Sequence, residues 1–231
     1  MPRLARIVLP GVPHHVTQRG NNRQNVFFTD DDRRLYLTLL KESADRFGLD
    51  VSAYCLMPNH VHLVATPAGD DSLAKAVGRT NFRYAQYLNR SRRRSGHLWQ
   101  NRFFSCSLQE THLWRAIRYV ERNPIRARLA RLAWRYAWSS AAAHVGEVDA
   151  SGLLNLAACR KKWKPGRWAE ALRDADDEGV AQFRTATHVG RPLGDEAFLD
   201  RLERELARPV RAKPVGRPRF NGGQVQGLED K

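Results

Sequence analysis

Two β-rich runs, Val51–Met57 and His60–Thr66, are separated only by Pro58-Asn59. A two-residue link lets the second run turn back beside the first and nothing else, so the two are expected as antiparallel neighbours. Side chains alternate along a strand. His60, His62 and Val64 therefore share one face of the second run, and Val61, Leu63 and Ala65 share the other.

The rest of the first 145 residues orders itself around this hairpin. His14–Arg19 reads as a strand that Gly20-Asn21-Asn22 ends as a turn. Asp30-Asp31-Asp32 starts a helix carrying Leu35, Leu39, Leu40 and Phe47 at helical spacing, and Gly48 stops it. Ser72–Asn89 is a second helix, followed by a basic loop, Arg90–Arg94. A strand is expected over Arg102–Leu108, then a helix capped by Thr111 and ended near Asn123 by Pro124. The order β-α-β-β-α-β plus one helix predicts an α+β, ferredoxin-like (split βαβ) fold, an antiparallel sheet with helices on one face. This domain is expected over residues 1–145. Amphipathic helices at Trp163–Arg173 and Asp195–Leu206 predict a helical extension over 146–208, and the Pro-, Gly- and base-rich residues 209–231 read as a disordered basic tail.

Charge narrows the partner. Lys and Arg number 39 against 24 Asp and Glu, a net charge of +15. Such an excess points to a polyanion, nucleic acid first, against the plainer alternative of a solvated cationic surface. Cys55, Cys106 and Cys159 have neither metal-site spacing nor the even number of a disulfide framework. No apolar stretch has the length of a signal peptide or a membrane span, so a cytoplasmic location is expected.

His60 and His62 present two imidazoles on one strand face, and imidazole is a ready ligand for divalent metals. A cation held against a phosphodiester polarises it for attack. Two histidines that merely satisfy hydrogen bonds remain the alternative for so short a pattern. The helix over residues 113–123 offers the complement. Tyr119 and Asn123 are four apart and share a face with Arg115. A tyrosine hydroxyl can attack phosphorus and leave a covalent phosphotyrosine. Asn123 offers an oxygen as third metal ligand, and Arg115, Arg118 and Arg122 offer phosphate contacts. Tyr84 and Tyr87 on the second helix compete with Tyr119. Arg19 and Arg23, bracketing the Gly-Asn-Asn turn, and Arg92, Arg93 and Arg94 in the basic loop are expected to face DNA. His97, Trp99 and Phe103 would either stack bases or anchor the core. Of His14 and His15, one could face the site, although a structural role is expected for both.

The segment Leu56-Met57-Pro58-Asn59-His60-Val61-His62-Leu63-Val64 resembles the signature of IS200-like (Y1) HUH transposases. Three further segments are similar to the branch of REP-associated tyrosine transposases. They are Arg19-Gly20-Asn21-Asn22-Arg23-Gln24, Gly96-His97-Leu98-Trp99-Gln100-Asn101-Arg102-Phe103, and Tyr119-Val120-Glu121-Arg122-Asn123-Pro124-Ile125-Arg126-Ala127. The resemblance covers about the first 145 residues. It implies Mg²⁺ or Mn²⁺ on His60 and His62 with Asn123 completing the site. It implies Tyr119 as nucleophile, and single-stranded or hairpin DNA (repetitive extragenic palindromes) as substrate, cut through a 5′-phosphotyrosine. It favours a monomer over a dimer that swaps the tyrosine helix. Beyond this region, Gly216-Arg217-Pro218-Arg219 resembles the core of an AT-hook, with Arg217 and Arg219 as DNA contacts; a merely basic end is the alternative. The rival from another class is a non-catalytic ferredoxin-like module binding DNA or RNA, against which no paired aromatic ribonucleoprotein signature lies on the strands.

Overall fold

A computed structural model describes residues 6–174 and 179–211. Four strands, β1 (His14–Arg19), β2 (Leu49–Met57), β3 (His60–Pro67) and β4 (Phe104–Ser107), form one antiparallel sheet in the order β2-β3-β1-β4. Between them run α1 (Asp30–Phe47) and α2 (Ser72–Ser91). This is the α+β split βαβ arrangement that the sequence predicts.

Local chemistry sets the element ends. Thr29 caps α1: its hydroxyl accepts from the Asp32 backbone N–H, and the Asp32 carboxylate accepts from the Thr29 N–H in return. Gly48 ends the helix at φ 65°, where a side chain would be strained. The β2–β3 link is the two-residue turn at Pro58-Asn59, closed by the Met57–His60 pair. The Gly20 loop grips that turn. Gly20 N–H donates to the Asn59 carbonyl at 2.9 Å, and a Cβ on Gly20 would come within 2.4 Å of the Gln24 carbonyl oxygen.

The expectation of helices on one face holds for α1 and α2 and fails for the rest. Val16, Leu56, Val61 and Leu63 meet Tyr36 and Leu40 of α1 and Leu73 and Tyr84 of α2. The opposite face carries Cys55, Met57, Val64 and Cys106, which are equally apolar and need a cover. α3 (Glu110–Glu121) supplies it with Ile117 and Val120. Gln109, not Thr111, takes its N-cap position. α3 stops at Arg122, and Pro124 opens the short α4 (Asn123–Arg126). There follow α5 (Ala141–His144), α6 (Leu156–Lys162), α7 (Pro165–Arg173), α8 (Val180–Val189) and α9 (Glu196–Leu206). Trp168 and Leu172 of α7 and Phe183 of α8 complete the second core.

The chain beyond residue 146 is thus packed against the sheet. Leu193 pairs with the edge beside β4: its N–H donates to Ser107 and its carbonyl accepts from Gln109, both at 2.9 Å. α9 packs Phe198 and Leu202 against Ile7, Leu9 and Val12. The expected tail begins in order: Val210 is buried in the same cluster, and Arg211 reaches Glu196, Asp200 and Glu203. Arg217 and Arg219 lie outside the described residues.

A buried polar knot holds α3 in place. The Glu121 carboxylate is fully enclosed. It accepts from Ser140 Oγ and His144 Nδ1 at 2.5 Å each, and from Trp168 Nε1 at 2.8 Å. Burial alone would push the His144 imidazole down, but the Glu121 charge outweighs it and holds the group up at about 10. Against an ordinary value of 6.5, this pairing stabilises the fold fully below about pH 6.5 and is lost as pH rises through about 10. Urea unfolding of wild type should therefore weaken across that window, and His144→Gln should flatten the slope. Glu121→Ala, which leaves the imidazolium buried and unpaired, should cost about 3–5 kcal/mol.

Candidate catalytic cleft

The pleat and the register decide what faces the second layer. His62 lies opposite Thr17 on β1 and Cys55 on β2; His60 lies opposite Arg19 and Met57. Residues paired across strands point the same way, so His15, Thr17, Arg19, His60 and His62 project from one face, toward α3 and α8. There they line a cleft of about 640 Å³ together with Tyr119, Asn123, Arg126 and Arg184. The Tyr119 ring stands edge-on to His62 with centroids 5.7 Å apart, and the His60 and His62 rings are 4.9 Å apart. His60, His62, Tyr119 and Asn123 are thus brought together from β3, α3 and α4.

Of the six tyrosines, all described, Tyr119 alone lines this cleft. Tyr84 is buried on the other side of the sheet, where its hydroxyl donates to the Val26 carbonyl at 2.6 Å. Tyr87 bonds Asp32 at 3.2 Å. Packing therefore separates the three candidates that the residues alone leave open.

Both histidines are oriented through Nδ1. His60 Nδ1 bonds Asn59 Oδ1 at 2.6 Å, while Asn59 Nδ2 donates to the Arg23 carbonyl at 3.0 Å. With its amide nitrogen so used, Asn59 presents an acceptor, and His60 Nδ1 must carry the proton. A longer chain fixes His62. The Thr187 hydroxyl donates to the Phe183 carbonyl at 2.9 Å, so it can only accept from His15 Nδ1, 2.8 Å away. His15 Nε2 is then an acceptor, and His62 Nδ1 donates to it across 2.9 Å. Because the chain ends on a carbonyl, which only accepts, every tautomer along it is set. Nε2 of His60 and of His62 are left as bare lone pairs.

Those lone pairs stay unprotonated at neutral pH. Burial, helped by the Arg19 cation, lowers His60 to about 4. Burial lowers His15 to about 3 and, with His60, His15, Arg126 and Arg19 around it, takes His62 well below its ordinary value. Asn123 Nδ2 donates to the Tyr119 and Val120 carbonyls at 3.1 Å each, leaving Oδ1 as an acceptor. Two neutral imidazole nitrogens and an amide oxygen suit a divalent ion. Among the described residues no three His, Cys, Asp or Glu side chains gather as ligands, so this mixed set is what the cleft offers. Among the described residues no carboxylate lines the cleft, while Arg19, Arg23, Arg126 and Arg184 do. It is built for an anion.

The other expected contacts divide. Arg19 and Arg23 line the cleft, and Arg23 holds φ 58° in the loop that Asn59 pins. Arg92, Arg93 and Arg94 are exposed beyond α2; Arg92 stacks on Phe28 at 4.0 Å, and Arg94 bonds Gln24 at 2.6 Å. Arg115 is exposed and borders a small recess behind Tyr119 with His112 and Phe183. Arg122 corrects its expected role as a phosphate contact. Its place at the α3–α4 junction turns the guanidinium inward, buried, to donate to the Leu172 carbonyl at 2.8 Å. Arg118 is similarly used on the Ala171 carbonyl at 2.7 Å. Trp99 packs against the first core and Phe103 is part of it. His14 points away from the cleft and bonds the Val12 carbonyl at 2.7 Å.

Sequence reading missed Asn59, Arg126, Arg184 and Thr187 as site residues, and left His15 in the background. Arg126 donates to the Tyr119 carbonyl and stacks on its ring at 4.3 Å. It sits in the same segment as Asn123, one turn on, so its spacing carried a signal. His15 alternates with Thr17 and Arg19, which was also readable. Arg184 and Thr187 carried none.

The family described as "Transposase IS200 like" matches residues 10–123. A solved REP-associated tyrosine transposase bound to a REP hairpin is 19% identical and covers 68% of this chain and 90% of its own, with a TM-score of 0.54. A putative transposase from Deinococcus radiodurans R1, also 19% identical, covers 52% of this chain and 96% of its own, with a TM-score of 0.37. No curated protein sequence matches. Hairpin, histidine pair and tyrosine helix all fall within the matched span, and through residues 10–123 this chain belongs to the IS200-like transposase family.

Proposed function

We propose that the protein is a metal-dependent single-strand DNA transposase of the REP-associated tyrosine branch, which cuts and rejoins DNA beside palindromic hairpins. The observation that carries this reading is the meeting of Tyr119 with the His60–His62 pair in one arginine-lined cleft. The structural neighbour bound to a REP hairpin supports the choice of substrate.

Tyr119 acts as the nucleophile. Its oxygen attacks the phosphorus, the bond to the 3′ oxygen breaks, and the products are a 5′-phosphotyrosine and a free 3′-hydroxyl. A 3′-hydroxyl attacking that phosphotyrosine reverses the step, so rejoining needs no external energy. His60, His62 and Asn123 would hold Mg²⁺ or Mn²⁺, which supplies charge neutralisation and polarisation of the scissile phosphate. Because these ligands are uncharged and their neighbours are arginines, the phosphodiester supplies the missing negative charge, and ion and DNA bind together. Arg19, Arg23 and Arg126 grip the phosphates; Arg92, Arg93, Arg94 and Arg115 extend the basic surface, and Arg217 and Arg219 would add salt-sensitive affinity. Tyr119 reaches histidines of its own chain, which favours a monomer. Acting on such hairpins, the protein would work in the cytoplasm. No described helix is long and apolar enough to cross a membrane.

Incubation with a hairpin-bearing oligonucleotide and Mg²⁺ or Mn²⁺ should yield a covalent protein–DNA adduct on a denaturing gel. Tyr119→Phe should form none while still binding the hairpin; an adduct in that variant would return the role to another tyrosine. Binding without cleavage under any metal would instead favour a non-catalytic DNA- or RNA-binding module. A second test concerns orientation. Thr187→Val removes the hydroxyl that fixes His15 and thereby His62, and Mn²⁺ affinity in the DNA complex, read by electron paramagnetic resonance, should fall about 10-fold or more.

A further inference from the structure

Helix α8 lies some sixty residues beyond the family match, yet it reaches the reacting centre. Arg184 Nε donates to the Tyr119 hydroxyl oxygen at 3.2 Å, and its guanidinium carbon sits 5.8 Å from the ring centroid. We propose that Arg184 is a further catalytic residue: a fixed cation that stabilises the negative charge on the Tyr119 oxygen during cleavage and rejoining. This rests on the reading of Tyr119 as nucleophile.

Three observations hold α8 in register with the site. The Phe183 ring packs 4.6 Å from that of Tyr119 and 4.5 Å from that of His15. Thr187, one turn after Phe183, is buried against His15. Leu193, just past the helix, is stitched to the sheet edge beside β4. Arg184 lies between these anchors, on the side of α8 that lines the cleft. Among the described residues it makes no ion pair, so its charge faces the tyrosine oxygen and any phosphate brought to it.

The chemistry needs such a group. The phenol gives its proton to solvent, since a guanidinium cannot accept it. The oxygen then forms the bond to phosphorus, the bond to the 3′ oxygen breaks, and that oxygen takes a proton from water. In the reverse step the tyrosine oxygen leaves with the electron pair. A preorganised cation at that oxygen favours both directions. The extension expected over residues 146–208 would thus hold a share of the catalytic machinery.

The test uses the full chain with a hairpin oligonucleotide and Mn²⁺, measuring adduct formation in a single turnover at saturating DNA and hairpin affinity separately. Arg184 is exposed, so Arg184→Gln should keep its melting temperature. Its saturating rate should fall roughly 100-fold, the scale of losing one transition-state donor, with Arg184→Lys recovering part of the loss. An unchanged saturating rate overturns the proposal, including the case where only affinity drops and Arg184 merely holds DNA. So does a faster rate, which would mean that α8 shields the tyrosine. Tyr119→Phe runs alongside. An adduct in that variant removes the reading of Tyr119 itself, and the proposal with it. A dead Tyr119→Phe beside an unaffected Arg184→Gln removes only the role of Arg184.

Discussion

β1 and β3 lie side by side at the centre of the sheet, with Thr17 opposite His62 and Arg19 opposite His60. A slip of one residue would turn every side chain of either strand to the wrong face. In the observed register the apolar set Val16, Val61 and Leu63 meets α1 and α2, and the imidazoles meet α3 and α8. Folding and function therefore depend on the same pairing. Burying the first core forces the histidines into the second layer, and the hairpin turn at Pro58-Asn59, gripped by the Gly20 loop, sets the register.

A polar cluster inside an apolar layer is costly unless each group finds a partner. The second layer meets that demand in two ways. Near the cleft, the run from Phe183 through Thr187 and His15 to His62 satisfies each buried atom and ends on a lone pair that opens toward the cleft. Farther back, Glu121 draws hydrogen bonds from Ser140, His144 and Trp168, which fixes α3 two residues past Tyr119. The first device orients the candidate metal ligand and the second the candidate nucleophile.

The charge pattern of the cleft follows the same logic. Arginines surround the uncharged imidazoles of His60 and His62, a setting that favours a phosphate over a lone cation. Arg118 lies on α3 with Tyr119 and Arg122 directly follows that helix, yet their guanidinium groups are used on backbone carbonyls of the α7 segment. Arginine count along a helix is therefore a poor guide to DNA contacts, because some of these cations act as cross-links between layers.

The residues by themselves determined everything set by short-range rules. The strand His14–Arg19, the extent of α1, and the two-residue hairpin follow from alternation, capping and turn chemistry, which operate over a few positions. The face shared by His60 and His62 and the pairing of Tyr119 with Asn123 follow from the same periods. Only the tertiary structure decided which tyrosine meets the histidines, that both sheet faces are covered, that Arg122 turns inward, and that His15 belongs to the site. It alone brought Arg184 and Thr187 there, across 65 and 172 positions to their partners. The physical reason is that no local period links such distant positions: what joins them is the burial of the apolar second face of the sheet, and the helices that cover it carry their polar side chains into the cleft.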